Sequence, residues 1–182
     1  MCFHADDQIG ELDLHPKVRS FFENYFKKDI REISIIGMPQ FANQLFICSD
    51  LKDAIAWLDY HHFRYRDLDL LAFFVIGNAP EKHHAEFIQQ NAPNQKLHFL
   101  FSKDDTGALC DLKLACYIRN KPIKITYNNH QFEIFFENKS CQSTHLSLNA
   151  LEKASGYNFK IRTHKPKNAS TFYEQFRNRH HP

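Results

Sequence analysis

Glycine is scarce in this chain: five in 182 residues. Few loops can therefore rely on positive φ angles, and neither a glycine-rich phosphate loop nor a GxSxG nucleophile elbow is present. The cysteines are odd in number and scattered (Cys2, Cys48, Cys110, Cys116, Cys141), and none forms a CxxC pair. That pattern indicates neither a disulfide framework nor a zinc knuckle, so reduced thiols in a cytoplasmic protein are expected. No apolar run approaches a membrane span, and no charged-then-apolar signal segment opens the chain. The net charge of +2 is too small to announce nucleic-acid binding through the global field, so a local basic patch would have to do it. There are 12 histidines but no HExxH spacing. The neighbours His61-His62 and His83-His84 do not share a helical face, which favours surface histidine over a ligand set.

What is present is ordinary for a folded soluble chain, with 43% hydrophobic and 24% charged residues. The 18 phenylalanines imply an aromatic core. Residues 1–15 read as a loose lead-in. Val18, Phe21, Phe22, Tyr25 and Phe26 mark one face of a helix that Pro16 opens. Arg31–Gly37 reads as a strand ended by glycine, and Gln44–Cys48 as a second apolar run. Ser49-Asp50 can cap a helix lined by Leu51, Ala54, Ile55 and Leu58. Leu70–Ile76 reads as a buried strand and Glu81–Gln90 as a helix. Lys121–Tyr127 and Gln131–Phe136 alternate as a hairpin. Ser143 or Thr144 can cap a helix that Gly156 ends, Tyr157–Arg162 reads as a short strand, and Asn168–Arg179 as an amphipathic helix with Phe172, Tyr173 and Phe176 inward.

The central stretch is Leu97–Ile118. A short apolar strand, Leu97–Phe101, leads into the acidic turn Ser102-Lys103-Asp104-Asp105-Thr106-Gly107 and then a helix with Leu109, Leu112, Ala115 and Cys116 on one side. Such a turn places carboxylates at the carboxyl edge of a sheet, where open α/β folds bind ligands, although Asp104 or Asp105 serves equally well as a helix cap. Strand–helix units in series from Gln44 to Ile118 imply an α/β fold with a mostly parallel sheet flanked by helices. The expected division is an N-terminal segment and helix (1–30), an α/β core (31–127), and a C-terminal hairpin with helical extension packed on it (128–182).

Two of these turns together resemble the Toprim domain of bacterial primases, topoisomerases and small nucleases. In that family a strand ends in glutamate before a helix often carrying Asp-Ala, and a later strand ends in an Asp-x-Asp-x-x-Gly turn. Here the first segment is Leu45–Ala56, with Ser49 at the glutamate and Asp53-Ala54 matching. The second is Phe99–Gly107, with Ser102 at the first aspartate, Asp104 at the second and Gly107 at the glycine. Ala72–Ala79 is similar to the intervening strand and small-residue turn, and His164–Ala169 followed by Phe172-Tyr173 to the Lys-Asp-x-Asn tail of primase-like Toprim proteins of bacterial mobile elements. The resemblance spans roughly 31–179 and implies a Rossmann-like Toprim fold in a DNA replication or mobilisation setting.

The departures remove the family's chemistry. Metal-assisted phosphoryl transfer needs several carboxylate oxygens on hard Mg²⁺, with a carboxyl as acid or base. A serine hydroxyl, neutral at pH 7, supplies neither charge nor a suitable pKa. With Ser49 and Ser102 at two positions, the expectation is a degenerate, impaired site with no cofactor, Mg²⁺ being the alternative. An active metal-dependent nucleotidyl or phosphodiester transferase would have to use Asp50, Asp104 and Asp105, with the metal on Asp104 and Asp105. A protein-interaction scaffold is a further reading. Late in the chain Lys160, Arg162, Lys165, Lys167, Arg177 and Arg179 mix with Tyr157, Phe159 and Tyr173. Basic side chains with aromatics grip single-stranded DNA through phosphates and stacking; a replication or mobilisation protein is the other expected partner, and a membrane is not.

Overall fold

Two apolar runs, Gln44–Cys48 and Leu71–Val75, lie side by side as parallel strands in register from Gln44 against Leu71 to Cys48 against Val75. Neither run alternates, because both faces of each strand are covered. The structure, a computed structural model, describes residues 12–30 and 33–180. In chain order the elements are α1 (Pro16–Tyr25), β1 (Phe26–Ile30), β2 (Ile33–Gly37), β3 (Gln44–Cys48), α2 (Leu51–His61), β4 (Leu71–Val75), α3 (Lys82–Asn91), β5 (Lys96–Phe99), α4 (Asp105–Ile118), β6 (Ile123–Asn128), β7 (Gln131–Phe136), β8 (Lys139–Ser143), α5 (Leu148–Ser155), β9 (Ile161–Thr163) and α6 (Phe172–His180).

The main sheet has the order β1-β2-β4-β3-β5-β9. β4, β3, β5 and β9 are parallel, while β1 and β2 add an antiparallel margin. The fold is thus α/β with a mixed, mostly parallel sheet and six helices among the described residues. Two cores separate on its faces. Ile47, Phe74 and Phe99 join side chains of α3, α4, α5 and the small β6-β7-β8 sheet. Phe46, Phe73 and Leu100 join those of α1, α2 and α6. Trp57, Phe22, Phe46 and Phe73 are all essentially inaccessible, as the phenylalanine content implies.

The helices start where short polar residues satisfy free N–H groups. Asp50 caps α2, Asp104 caps α4 and Ser147 caps α5, and Gly156 ends α5 in the left-handed region at φ 77°. Among the described residues no helix is long and apolar enough to cross a membrane. Cys48, Cys110 and Cys116 are buried free thiols.

Several expectations are corrected. Phe26 belongs to β1, an edge strand, rather than to the helix before it. The cap of α5 is Ser147, since Ser143 closes β8. β8 turns the expected hairpin into a three-stranded sheet; its exposed residues carry no apolar alternation because it is an edge with solvent on one side. The expected strand from Tyr157 is only β9, and it is the sixth strand of the main sheet. The boundary at Tyr127 falls inside β6, and both β1 and β9 belong to the sheet assigned to 31–127. The lead-in up to Glu11 lies outside the described residues, whereas Leu12 and Leu14 are buried against α1 and α2.

Candidate functional site

The chain leaves β3 for α2 and β4 on one side, then crosses back through α3 to β5 on the other. The carboxyl ends of β3 and β5 therefore flank a topological switch point. Ile47 pairs with Phe99, and the Leu100 N–H donates to the Ile47 carbonyl at 2.8 Å. Ser49 directly after Cys48 and Ser102 three residues after Phe99 thus follow the tips of neighbouring parallel strands.

The acidic residues at this edge serve the backbone. Asp50 accepts the Lys52 N–H at 2.7 Å as the cap of α2. Asp104 accepts the Gly107 N–H at 2.8 Å and the Ser102 hydroxyl at 2.6 Å, and these two donors hold its carboxyl below the usual range. Asp105 is exposed in the first turn of α4. Asp53, 4% exposed, accepts the Tyr173 N–H at 2.8 Å and so anchors the start of α6. Burial pushes its pKa up to about 6 against the pull of that bond.

The segment after β9 closes over the edge. Lys165 donates to the carbonyls of Phe101 and Ser102 at 3.1 and 2.8 Å and pairs with Asp111 of α4 at 2.7 Å. Asp111, which the sequence reading passed over, is 2% exposed, and burial raises its pKa to about 6 despite the ammonium. Lys103 extends the closure: its N–H donates to Ser170 at 2.8 Å and its ammonium to the Lys167 carbonyl at 3.1 Å. Ser49 is half-buried. These donors do not fit a Mg²⁺ centre: Asp50 and Asp104 cap helices, Asp111 is paired with Lys165, and Asp105 is exposed in the first turn of α4. Among the described residues no group of three or more His, Cys, Asp or Glu side chains is placed to hold a metal ion.

A second constellation lies on the α2 face. Sheet register aligns Ile36, Phe73, Phe46, His98 and Arg162 in one row across five strands. The row passes from aliphatic through aromatic to imidazole and ends in an exposed guanidinium. His98 Nδ1 and His164 Nε2 share a hydrogen bond of 2.9 Å, so one ring donates and the other accepts. His98 lies 4.6 Å from Phe46, and His164 5.5 Å from Trp57, between ring centroids. Burial lowers both histidines to about 4; Arg162 acts against protonation of both, with Lys96 beside His98, and His61 and Arg64 beside His164. His61, stacked on Trp57 and lowered by burial, faces Arg64 and Lys167.

Arg64, Arg162 and Lys167 are thereby neighbours around one aromatic and histidine cluster, and all three are exposed. Next to them Phe63 is 71% exposed with the Arg64 guanidinium 5.6 Å from its ring, and Tyr60 carries the Arg179 guanidinium at 5.6 Å. The expected basic set is divided by the structure. Arg162 and Lys167 join this surface, and Arg177 is exposed on α6. Lys160 is exposed in a left-handed turn at φ 56°. Lys165 is spent on Asp111. Phe159 is fully buried, and Tyr157 packs on Phe136 and Phe159, so neither is free to stack on a base. The run Phe63-Arg64-Tyr65-Arg66, just after His61-His62, carried the missed signal, alternating aromatic and basic residues over four positions.

The buried groups set a pH response. For Asp53 and Asp111 the folded pKa of about 6 exceeds the ordinary value, so their contribution strengthens as pH falls through 6 and is lost as it rises. For His98 and His164 the folded value of about 4 lies below the ordinary 6.5, so their contribution is present above 6.5 and lost as pH falls toward 4. The two pairs oppose each other in that window. Asp53→Asn keeps an acceptor for Tyr173 but removes one compensating carboxyl, so its stability should fall more steeply with acid than the parent's. Urea midpoints measured across this pH range give the comparison; parallel curves would contradict it.

No family model matches the chain, and no curated protein or solved structure compared with it is similar enough to count as a match.

Proposed function

We propose that this chain is a non-catalytic Toprim-like module that binds single-stranded DNA, in the replication or mobilisation setting its motif remnants imply. Two features support the Toprim-like part: the serine-bearing segments follow neighbouring parallel strand tips, and the motif-like tail folds against the same edge. That edge is sealed by Lys165 and the Ser170 carbonyl, so binding is assigned elsewhere.

The observation that carries the binding is the cluster of Arg64, Arg162 and Lys167 beside exposed Phe63 and Tyr60. Guanidinium and ammonium groups neutralise phosphates while aromatic faces take bases, which suits an unpaired strand whatever its sequence.

The test is fluorescence anisotropy with a labelled single-stranded oligonucleotide. If the three cations each neutralise one phosphate, affinity should weaken about twentyfold between roughly 50 and roughly 200 mM salt. Replacing Arg64, Arg162 and Lys167 together by alanine should remove most of that salt dependence, and Phe63→Ala should cost about 1–3 kcal/mol of binding. Binding unaffected by the triple substitution would move the interface elsewhere, and no binding at low salt would end the proposal.

A further inference from the structure

The small β6-β7-β8 sheet leaves one strand border unpaired beside α4. Asn129 and His130 both have positive φ, and Asn128 faces Gln131 across them, so a two-residue turn joins β6 to β7. In such a hairpin the flanking pair exchanges both hydrogen bonds, and bonded pairs then alternate along the ladder. Thr126 and Lys124 therefore bond to β7, while the N–H and C=O groups of Ile123, Ile125 and Tyr127 point away from it. β6 is the border of its sheet, and no backbone hydrogen bond among the described residues uses those outward groups. A groove of about 220 Å³ lies along this border. Leu109, Lys113 and Tyr117, spaced four apart on one side of α4, form one wall, and Ile123, Ile125 and Tyr127 the other.

We infer that β6 accepts an extended segment of a partner protein as an added strand, with apolar side chains turned toward α4 and carboxylates turned outward.

The backbone, the groove and the charges each narrow the occupant. Outward amides and carbonyls on every second residue are matched by another extended chain, not by a helix or a duplex. Side chains of a strand alternate, so every second residue of the added strand continues the face that Ile123, Ile125 and Tyr127 present to the groove. Those residues meet Leu109 and Tyr117 and have to be apolar. The residues between them fall on the solvent face beside Lys124, which is exposed with its ammonium 5.9 Å from the Phe135 ring. Lys113 adds a second cation, while Glu133 stands one strand further in, opposite Thr126. Carboxylates are thus favoured next to β6. The same charges disfavour a second copy of this chain, because pairing β6 with itself crowds two Lys113 and two Lys124 side chains around one border. The border lies on the α4 side of the main sheet and the cationic DNA surface on the α2 side, so the inference does not rest on the DNA reading.

The test uses a labelled peptide of alternating valine and glutamate, with phenylalanine at the central valine position, and a control in which lysine replaces glutamate. In anisotropy titrations at low salt the parent should bind the glutamate peptide about tenfold more tightly than the control. Amide hydrogen exchange at Ile125 and Tyr127 should slow when it binds. Lys113→Glu together with Lys124→Glu should reverse the preference. Tyr127→Pro deletes an outward N–H without touching a bond to β7, and should weaken binding about tenfold; circular dichroism checks that both variants are folded. No binding of the glutamate peptide overturns the inference, as does binding that leaves those two amides unprotected or that neither variant alters. A dimer of the parent in sedimentation equilibrium that Tyr127→Pro dissociates would give the border to a second copy and overturn it as well.

Discussion

Lys165→Met should destabilise the protein by about 3 kcal/mol at neutral pH, because it leaves the Asp111 carboxylate buried without its cation. The carbonyls of Phe101 and Ser102 lose their donor in the same step. The sign of the pH response identifies the cause. The ammonium now draws the pKa of Asp111 down; without it burial acts alone, so the variant should recover stability as acid neutralises the carboxyl. Asp111→Leu together with Lys165→Met should regain much of the loss, since an apolar pair of similar size demands no desolvation of charge. Urea titration of the parent and the two variants measures this; a cost for Lys165→Met below about 1 kcal/mol would show the pair behaving as a solvent-screened surface bridge.

Gly107→Ala gives the second large effect, and here the direction alone decides. By helix propensity, alanine inside α4 should stabilise by about 1 kcal/mol. A Cβ at this position, however, would stand 2.5 Å from the Ser102 hydroxyl oxygen and closer still to its carbonyl oxygen. The strand-to-helix turn would have to open, breaking the Ser102–Asp104 and Gly107–Asp104 bonds and disturbing the carbonyl that Lys165 holds. A net loss of about 3 kcal/mol is expected from the clash. Calorimetric melting tests it, and an unchanged or higher Tm would mean that the turn yields freely. The glycine of this turn therefore has a packing reason that needs no metal.

These two residues also show how far the sequence could be read. β3 and β4 were legible because both faces of each are buried and the runs are almost continuously apolar, and β5 was legible through Leu97 and Phe99 in spite of His98. The starts of α2 and α4 were legible because Asp50 and Asp104 act within two or three residues. β1 and β8 were not, since an edge strand takes its bonds from one neighbour and needs little apolar patterning of its own. The Lys165–Asp111 pair joins distant positions, and nothing local marks a lysine in a basic stretch as an internal one. His98 reads as a polar interruption of an apolar strand until β9 brings His164 beside it. Counting carboxylates found Asp50, Asp104 and Asp105 but gave no hint that the tail covers their edge. The basic-aromatic surface was half legible: Arg162 and Lys167 lie in the late basic stretch, while Arg64 and Phe63 arrive from a turn far upstream.

The late insertion of β9 has a consequence for synthesis. A nascent chain that has emerged only as far as Gly156 already holds β1 to β5, yet the outer border of β5 still lacks its neighbour. Asp53 and Asp111 then wait without the Tyr173 N–H and the Lys165 ammonium. On the ribosome this intermediate displays a bare row of amides and carbonyls, the kind of template that recruits another chain. Emergence of residues 161–173 removes that hazard and supplies both carboxylates with their donors in one step, so this late segment acts as the clasp of the whole sheet.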